Sequence, residues 1–204
     1  MEIMSNAQSV KELRELSGAG MMDCKRALEE SNGDLEKAME ALRKSGIAKA
    51  QKKAGRSASD GLIFPYIHPG SKLGVLLEIN CETDFVAKTE DFQGLAKDIS
   101  MHIAASCPIS VNAEDIPESV IDKEKEIYFE QAKSSGKPDN IIEKMIEGRM
   151  AKFYKENALM EQQFVKDPDK TIKDLVTENV AKFGENIVIK RFSRFQLGET
   201  VKPS

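Results

Sequence analysis

The chain has 204 residues, 40% of them hydrophobic, which is room for one ordinary domain and a small satellite around a packed core. Tryptophan is absent and aromatics make up 6%, so that core must be built from Leu, Ile, Val, Met and Ala. A net charge of −4 with a pI near 5.4 argues against a general nucleic-acid binder, and charged residues of interleaved sign suit solvated helices.

Cys24, Cys81 and Cys107 have no CxxC spacing, and no apolar run approaches the ~18 residues of a membrane span. A cytoplasmic protein in a reducing compartment is expected. Met1 to Ser9 carries Glu2 and no Arg, unlike a mitochondrial presequence, so the N-terminus is expected to be mature as it stands.

Residues 9–45 read as three short helices. Ser9 with Glu12 has the spacing of a capping box opening the first. Gly18-Ala19-Gly20 breaks it, Met21 to Glu30 forms the second, Asn32-Gly33 ends that one, and Asp34 is placed to cap the third. Val10, Leu13, Leu16, Cys24, Leu28, Leu35, Met39 and Leu42 recur at helical spacing and are expected to share one minimal core. So small a unit is marginal alone and reads as a docking module, residues 1–46.

Arg43 to Arg56 is basic without an acidic residue and supplies a linker, residues 47–60. It could contact an acidic surface such as RNA. It reads better as a solvated helix end, because it lacks the aromatics that stack on bases.

From Gly61 the period changes. Leu62 to His68 and Leu73 to Asn80 predict an antiparallel pair joined through Pro69-Gly70-Ser71-Lys72. The stretch NCETDFVAK, Asn80 to Lys88, leaves the second strand with an acid beside an aromatic. Asp84 could cap the following helix while Phe85 enters the core, or the two could project together toward a partner. On spacing alone, cap and core is the commoner outcome.

Asp91 to Ser106 is helical, with Phe92, Leu95, Ile99, Met101, Ile103 and Ala104 mostly on one side. Val120 to Ser134 and Asp139 to Leu159 are helical runs separated by Ser135-Gly136-Lys137-Pro138. Ile121, Tyr128 and Ala132 can face Ile142, Met145, Ile146 and Phe153 in an antiparallel hairpin, residues 119–159. Thr171 to Phe183 adds one more helix and Ile187 to Leu197 a third strand. The mixture predicts an α+β core over residues 61–200.

Catalytic chemistry is not legible. His68 and His102 are the only histidines, and GxSxG, HExxH, GxxxxGK[ST] and GxGxxG spacings are all missing. Cys81 and Cys107 read as small core hydrophobes, His102 as a packed or surface residue, and no metal site or cofactor is expected.

The run VKELRELSGAGMMDCKRALEESNGDLEKAMEALRKSGIAKAQKKA from Val10 to Ala54 resembles the elongation factor Ts family, as does ETDFVAK. IIEKMIEGRM (Ile141 to Met150), Phe164-Val165 and GENIVIKRFSRFQLGE (Gly184 to Glu199) extend the resemblance over nearly the whole chain. It implies a non-enzymatic guanine-nucleotide exchange factor for elongation factor Tu, with a ubiquitin-associated type of three-helix module at the N-terminus. In that family the acid–aromatic pair, here Asp84 and Phe85, intrudes beside the GTPase's Mg²⁺ site, with Thr83 and Val86 completing the motif.

The resemblance also makes Leu13, Arg14, Met21 and Met22 contact candidates on the docking module. Leu13 and one methionine could equally be core, since adjacent methionines cannot both face inward from one helix. Tyr66, His68 and Gly70 match a segment whose histidine touches the GTPase near its phosphate loop. Only one set of these motifs is present, as in short family members, which implies a sheet-to-sheet homodimer with two-fold symmetry. No membrane or direct nucleic-acid partner is implied. A cytosolic adaptor or holdase would use the same module without needing Asp84-Phe85. An RNA- or ribosome-binding factor would rest on Arg43 to Arg56.

Overall fold

The computed structural model describes residues 7–134 and 138–199. Ser135, Gly136 and Lys137 of the expected hairpin turn lie outside the described residues. The fold is α+β, as expected, and its residues group into two compact units.

The first unit takes residues up to 61, together with 80–88 and 174–188. It opens with α1 (Ala7–Ser17), α2 (Met21–Glu30) and α3 (Leu35–Gln51). Val10, Leu13, Cys24, Ala27, Leu28 and Ala38 form their shared core, with Leu35, Met39 and Leu42 packed against it. Gly18 ends α1 in the left-handed region at φ +66°, its N–H donating to the Arg14 carbonyl at 2.8 Å. Asp34 caps α3 by accepting from the Lys37 amide at 3.1 Å, as its position predicted.

Three expectations for this region change. Helix α1 already runs at Ala7, so Ser9 lies inside its first turn and does not open a capping box. Leu16 is 66% exposed. It sits about 60° round the helix from Leu13, on the rim of the buried stripe, and Ser17 occupies the inward position one turn after Leu13. Helix α3 continues to Gln51, past the boundary expected at residue 46, and carries Lys44 and Lys49 as helix residues. Also in the first unit are the four-residue α4 (Asp84–Ala87) and most of α8 (Ile172–Phe183).

The second unit takes residues 62–79, 89–173 and 189 onward. It holds most of a three-stranded sheet of β1 (Asp60–Ile67), β2 (Leu73–Cys81) and β5 (Val188–Gln196), in the order β1-β2-β5. A tight turn joins β1 to β2, the His68 amide donating to the Leu73 carbonyl at 2.9 Å. The alternation in β2 buries Val75, Leu77 and Ile79 and leaves Leu76 exposed.

Helix α5 (Glu90–Ser106) starts at Thr89, whose hydroxyl accepts from the Phe92 amide at 3.2 Å. It buries Phe92, Leu95, Ala96, Ile99, His102 and Ile103, and Arg194 of β5 donates to its Ala104 carbonyl at 3.3 Å. It ends at Cys107, left-handed at φ +48° and exposed, so this thiol is not the core hydrophobe expected. A helix terminus followed by Pro108 needs a turn there, and the turn carries the side chain outward.

Helices α6 (Glu118–Lys133) and α7 (Asp139–Asn157) pair as the expected hairpin. Its core joins Ile116, Met150, Phe153 and Ala158 with Ile121, Tyr128 and Ile146. Arg149 lies 5.6 Å over the Tyr128 ring and donates to Gln131, closing the outer edge of the seam. A two-stranded ribbon, β3 (Gln163–Phe164) with β4 (Asp167–Thr171), pairs Gln163 with Thr171 and Phe164 with Asp167. It was not predicted, because Asp-Pro-Asp-Lys-Thr has no apolar alternation.

Candidate functional site

Phe85 is 80% exposed, on the first turn of α4 where the chain leaves β2. The cap-and-core alternative therefore fails. Thr83 rather than Asp84 is the N-cap residue, and the core positions flanking the motif are Cys81 and Ala87. These two buried side chains pin the chain on either side of a phenyl ring left in water. Leaving such a ring out forgoes roughly 2 kcal/mol of burial.

Asp84 stands beside the ring with its carboxylate in solvent. Lys88 Nζ lies 2.6 Å from Asp84 Oδ2, and this hydrogen bond holds the carboxyl below the ordinary range of an aspartate. Asp84 is thus ionised and aimed. Val86 is half-buried behind it.

The backbone that carries the pair is held from a distant part of the chain. Glu185 Oε2 accepts from the Glu82 amide at 3.0 Å and from the Thr83 amide at 3.1 Å. Its other oxygen accepts from the Thr83 hydroxyl at 2.6 Å, so that hydroxyl is not spent on capping α4. Glu82 returns the grip, its Oε1 accepting from the Asn186 amide at 2.7 Å. That bond, with Arg56 3.5 Å away, lowers the Glu82 pKa. Asn186 also donates to the Arg56 carbonyl at 2.8 Å, closing the network. Burial raises the Cys81 thiol, which donates to the Thr83 carbonyl at 3.1 Å and is no nucleophile.

The candidates on the three-helix module divide. Leu13 is fully buried in the module core, so its side chain supports the helices and cannot itself meet a partner. Arg14 is exposed. Met21 is 56% and Met22 74% exposed, so neither methionine is core and the alternative left open for one of them falls away. Leu16, read from its spacing as core, joins them as an exposed apolar side chain near the α1–α2 turn.

In the second unit His68 is exposed at the β1–β2 turn, where Gly70 and Ser71 adopt positive φ. Its Nδ1 lies 2.9 Å from the Tyr66 hydroxyl, which orients the ring. His102, by contrast, is fully buried. Its Nδ1 accepts from the Val165 amide at 3.3 Å, which leaves Nε2 to donate to Gln162 Oε1 at 2.9 Å. Burial lowers its pKa, so it is a neutral core residue and not an exposed base.

The basic stretch is matched from within its own unit. Arg43 faces Asp174 at 3.8 Å, Lys49 faces Asp23 at 2.6 Å, and Lys44 faces Glu40 at 2.8 Å. Lys53 donates to the Gly184 carbonyl. These pairs favour the solvated-helix reading over a nucleic-acid contact. Among the described residues no cluster of three or more His, Cys, Asp or Glu is placed to hold a metal ion. No described helix is long and apolar enough to cross a membrane.

The sequence model of the family described as Elongation factor TS matches residues 3–199. Elongation factor Ts of Carboxydothermus hydrogenoformans is 62% identical over 196 residues, covering 96% of this chain and 90% of that protein. Elongation factor Ts of Caldanaerobacter subterraneus is 58% identical and that of Fervidobacterium nodosum 60%, each over 199 residues and each covering 98% of this chain and 100% of the relative. A match through almost every element, with the exposed acid–aromatic turn lying inside it, shows that the chain belongs to the elongation factor Ts family of translation elongation factors.

Proposed function

We propose that this protein accelerates GDP release from elongation factor Tu by inserting Asp84 and Phe85 beside the Mg²⁺ and phosphate site, without side-chain catalysis of its own. The observation that carries this reading is the exposure of Phe85 between two buried anchors. A partner that binds the nucleotide-free GTPase better than the loaded form must weaken the nucleotide by the same factor. A 100-fold effect needs only about 2.7 kcal/mol of differential binding. Burying one phenyl ring supplies about that order, and an ionised carboxylate beside a metal site adds to it. The chemistry of exchange then belongs to the GTPase, and this chain provides a wedge.

Arg14, Leu16, Met21 and Met22 make the docking surface of the module, with Leu13 in support. His68 contributes from the β1–β2 turn. The protein works in the cytoplasm as a homodimer joined through the outward face of its sheet. Ile63, Ile67, Leu76 and Phe195 are exposed there, and Ile63 and Leu76 line one depression with Glu78, Arg191, Phe192 and Ser193. The Arg191 Nε–Glu78 Oε2 pair at 2.6 Å leaves this face charge-matched across neighbouring strands, which suits packing against a second copy.

The test is release of a fluorescent GDP analogue from elongation factor Tu. The native chain is expected to accelerate it strongly, and Phe85→Ala to lose about ten-fold or more of the maximal rate while still binding. A native chain that binds elongation factor Tu without speeding release would reduce the protein to an adaptor.

A further inference from the structure

The exposed wedge has little packing of its own to aim it. With Phe85 80% exposed, its direction must come from the backbone between Cys81 and Ala87. One carboxylate, that of Glu185, takes three hydrogen bonds from this stretch, at 3.0, 3.1 and 2.6 Å, using both oxygens. Bonds to an ionised acceptor are the strong kind, and two backbone amides in succession fix the peptide planes that lead into α4. Asn186 grips the same stretch through Glu82, so the clasp runs in both directions between Glu82-Thr83 and Glu185-Asn186. The clasp lies between Cys81 and Ala87, two buried residues that already anchor the chain on either side of it.

We propose that Glu185 is a positioning residue for nucleotide exchange: its carboxylate sets the direction in which Asp84 and Phe85 leave the strand, before any partner arrives. The proposal rests on the exchange reading above. A wedge ordered in advance spends less of its binding free energy on being ordered at the moment of docking. Removing the clasp should therefore slow the step driven by Asp84 and Phe85 without removing the surfaces that dock. Glutamine at this position keeps the shape and can keep all three bonds, its carbonyl oxygen accepting from the two amides and its NH2 donating to the Thr83 hydroxyl oxygen, but it carries no charge.

The experiment measures fluorescent GDP release from elongation factor Tu against the concentration of the full-length chain, so that maximal rate and half-saturating concentration separate. Native protein, Glu185→Gln, Glu185→Ala and Phe85→Ala are compared, with thermal melting and amide hydrogen exchange of Glu82 and Thr83 recorded for each. Glu185→Ala is expected to lower the maximal rate about ten-fold, to move half-saturation by less than about three-fold, and to speed exchange of those two amides, while Glu185→Gln should retain more of the native rate. A native maximal rate in Glu185→Ala would overturn the proposal while leaving the exchange reading intact. So would a loss of rate in Glu185→Ala that only follows a loss of cooperative melting, because Glu185 would then be holding the fold. A native chain that fails to accelerate release would instead overturn the exchange reading itself, and this proposal with it.

Discussion

Lys88, the C-cap residue just past α4, holds the carboxylate of Asp84 at 2.6 Å, so the acid beside the exposed Phe85 is paired within its own turn of chain. Exposed pairs of this kind add little to stability. What the pair provides is orientation, since a charged side chain with free rotation would have to be ordered on docking. The same bond keeps the Asp84 carboxyl below its ordinary pKa.

If the charge is used, Asp84→Asn should lower the maximal rate of GDP release by about five-fold or more, with Lys88→Met giving a smaller loss. Both should melt with the native protein. Because Asp84 stays ionised across roughly pH 5 to 8, its titration should add no pH dependence to exchange there. Equal release rates for native protein and Asp84→Asn would show that the ring acts without the acid.

The module offers a contrast between two side chains of similar size. Leu13 is fully buried and Met22 is 74% exposed. Leu13→Ala should destabilise the three-helix core by about 2–5 kcal/mol. Met22→Ala should leave melting within about 0.5 kcal/mol of native yet weaken binding to elongation factor Tu. Calorimetry of the free protein with titration against nucleotide-free elongation factor Tu separates the two effects. A Met22→Ala chain that binds as tightly as native would remove this surface from the docking site.

His102 makes stability depend on pH in a definite direction. Burial pushes its folded-state pKa below the ordinary 6.5, only partly opposed by the Gln162 bond, so the unfolded chain takes up the proton first. The stabilisation is complete above pH 6.5 and declines as pH falls below it, with a slope of at most about 1.4 kcal/mol per pH unit until the folded pKa is passed. Protonation would set an Nδ1–H against the Val165 N–H, which now donates to that nitrogen. Melting curves between about pH 7.5 and 5 should show this decline, and His102→Gln should flatten it. A native chain whose melting temperature is level over that range would contradict the buried neutral imidazole.

Leu76 and Ile63 stand on the outward face of the sheet, 48% and 61% exposed. Replacing Leu76 with Glu should convert the proposed dimer to a monomer at micromolar concentration, seen as a halving of the scattering mass. It should not lower the melting temperature of the monomeric chain, because the side chain lies outside the core. A native protein that scatters as a 22.7 kDa monomer would end the dimer reading.

Much of the fold was legible because it is written locally. The breaks at Gly18 and Asn32-Gly33, the Asp34 cap and the period of two in Leu73 to Asn80 each depend on neighbours within one turn or one pleat, and all appear where expected. The β3–β4 ribbon escaped because five polar residues carry no period. Leu16 was misplaced because a helix wheel can say which side is apolar but not how wide the buried stripe becomes.

The candidate site divides along the same line. Residue types and spacing, with the family resemblance they carry, were enough to single out Thr83, Asp84, Phe85 and Val86 as candidates. Whether Phe85 is core or exposed lay beyond them, since the ring's surroundings are set by which buried residues anchor the chain on either side. Glu185 was invisible for a stronger reason: its carboxylate reaches Thr83 across 102 positions of sequence. Local preferences shape each element over a few residues. The direction in which an exposed side chain points is set by long-range hydrogen bonds, and only the folded chain brings those donors and acceptors together.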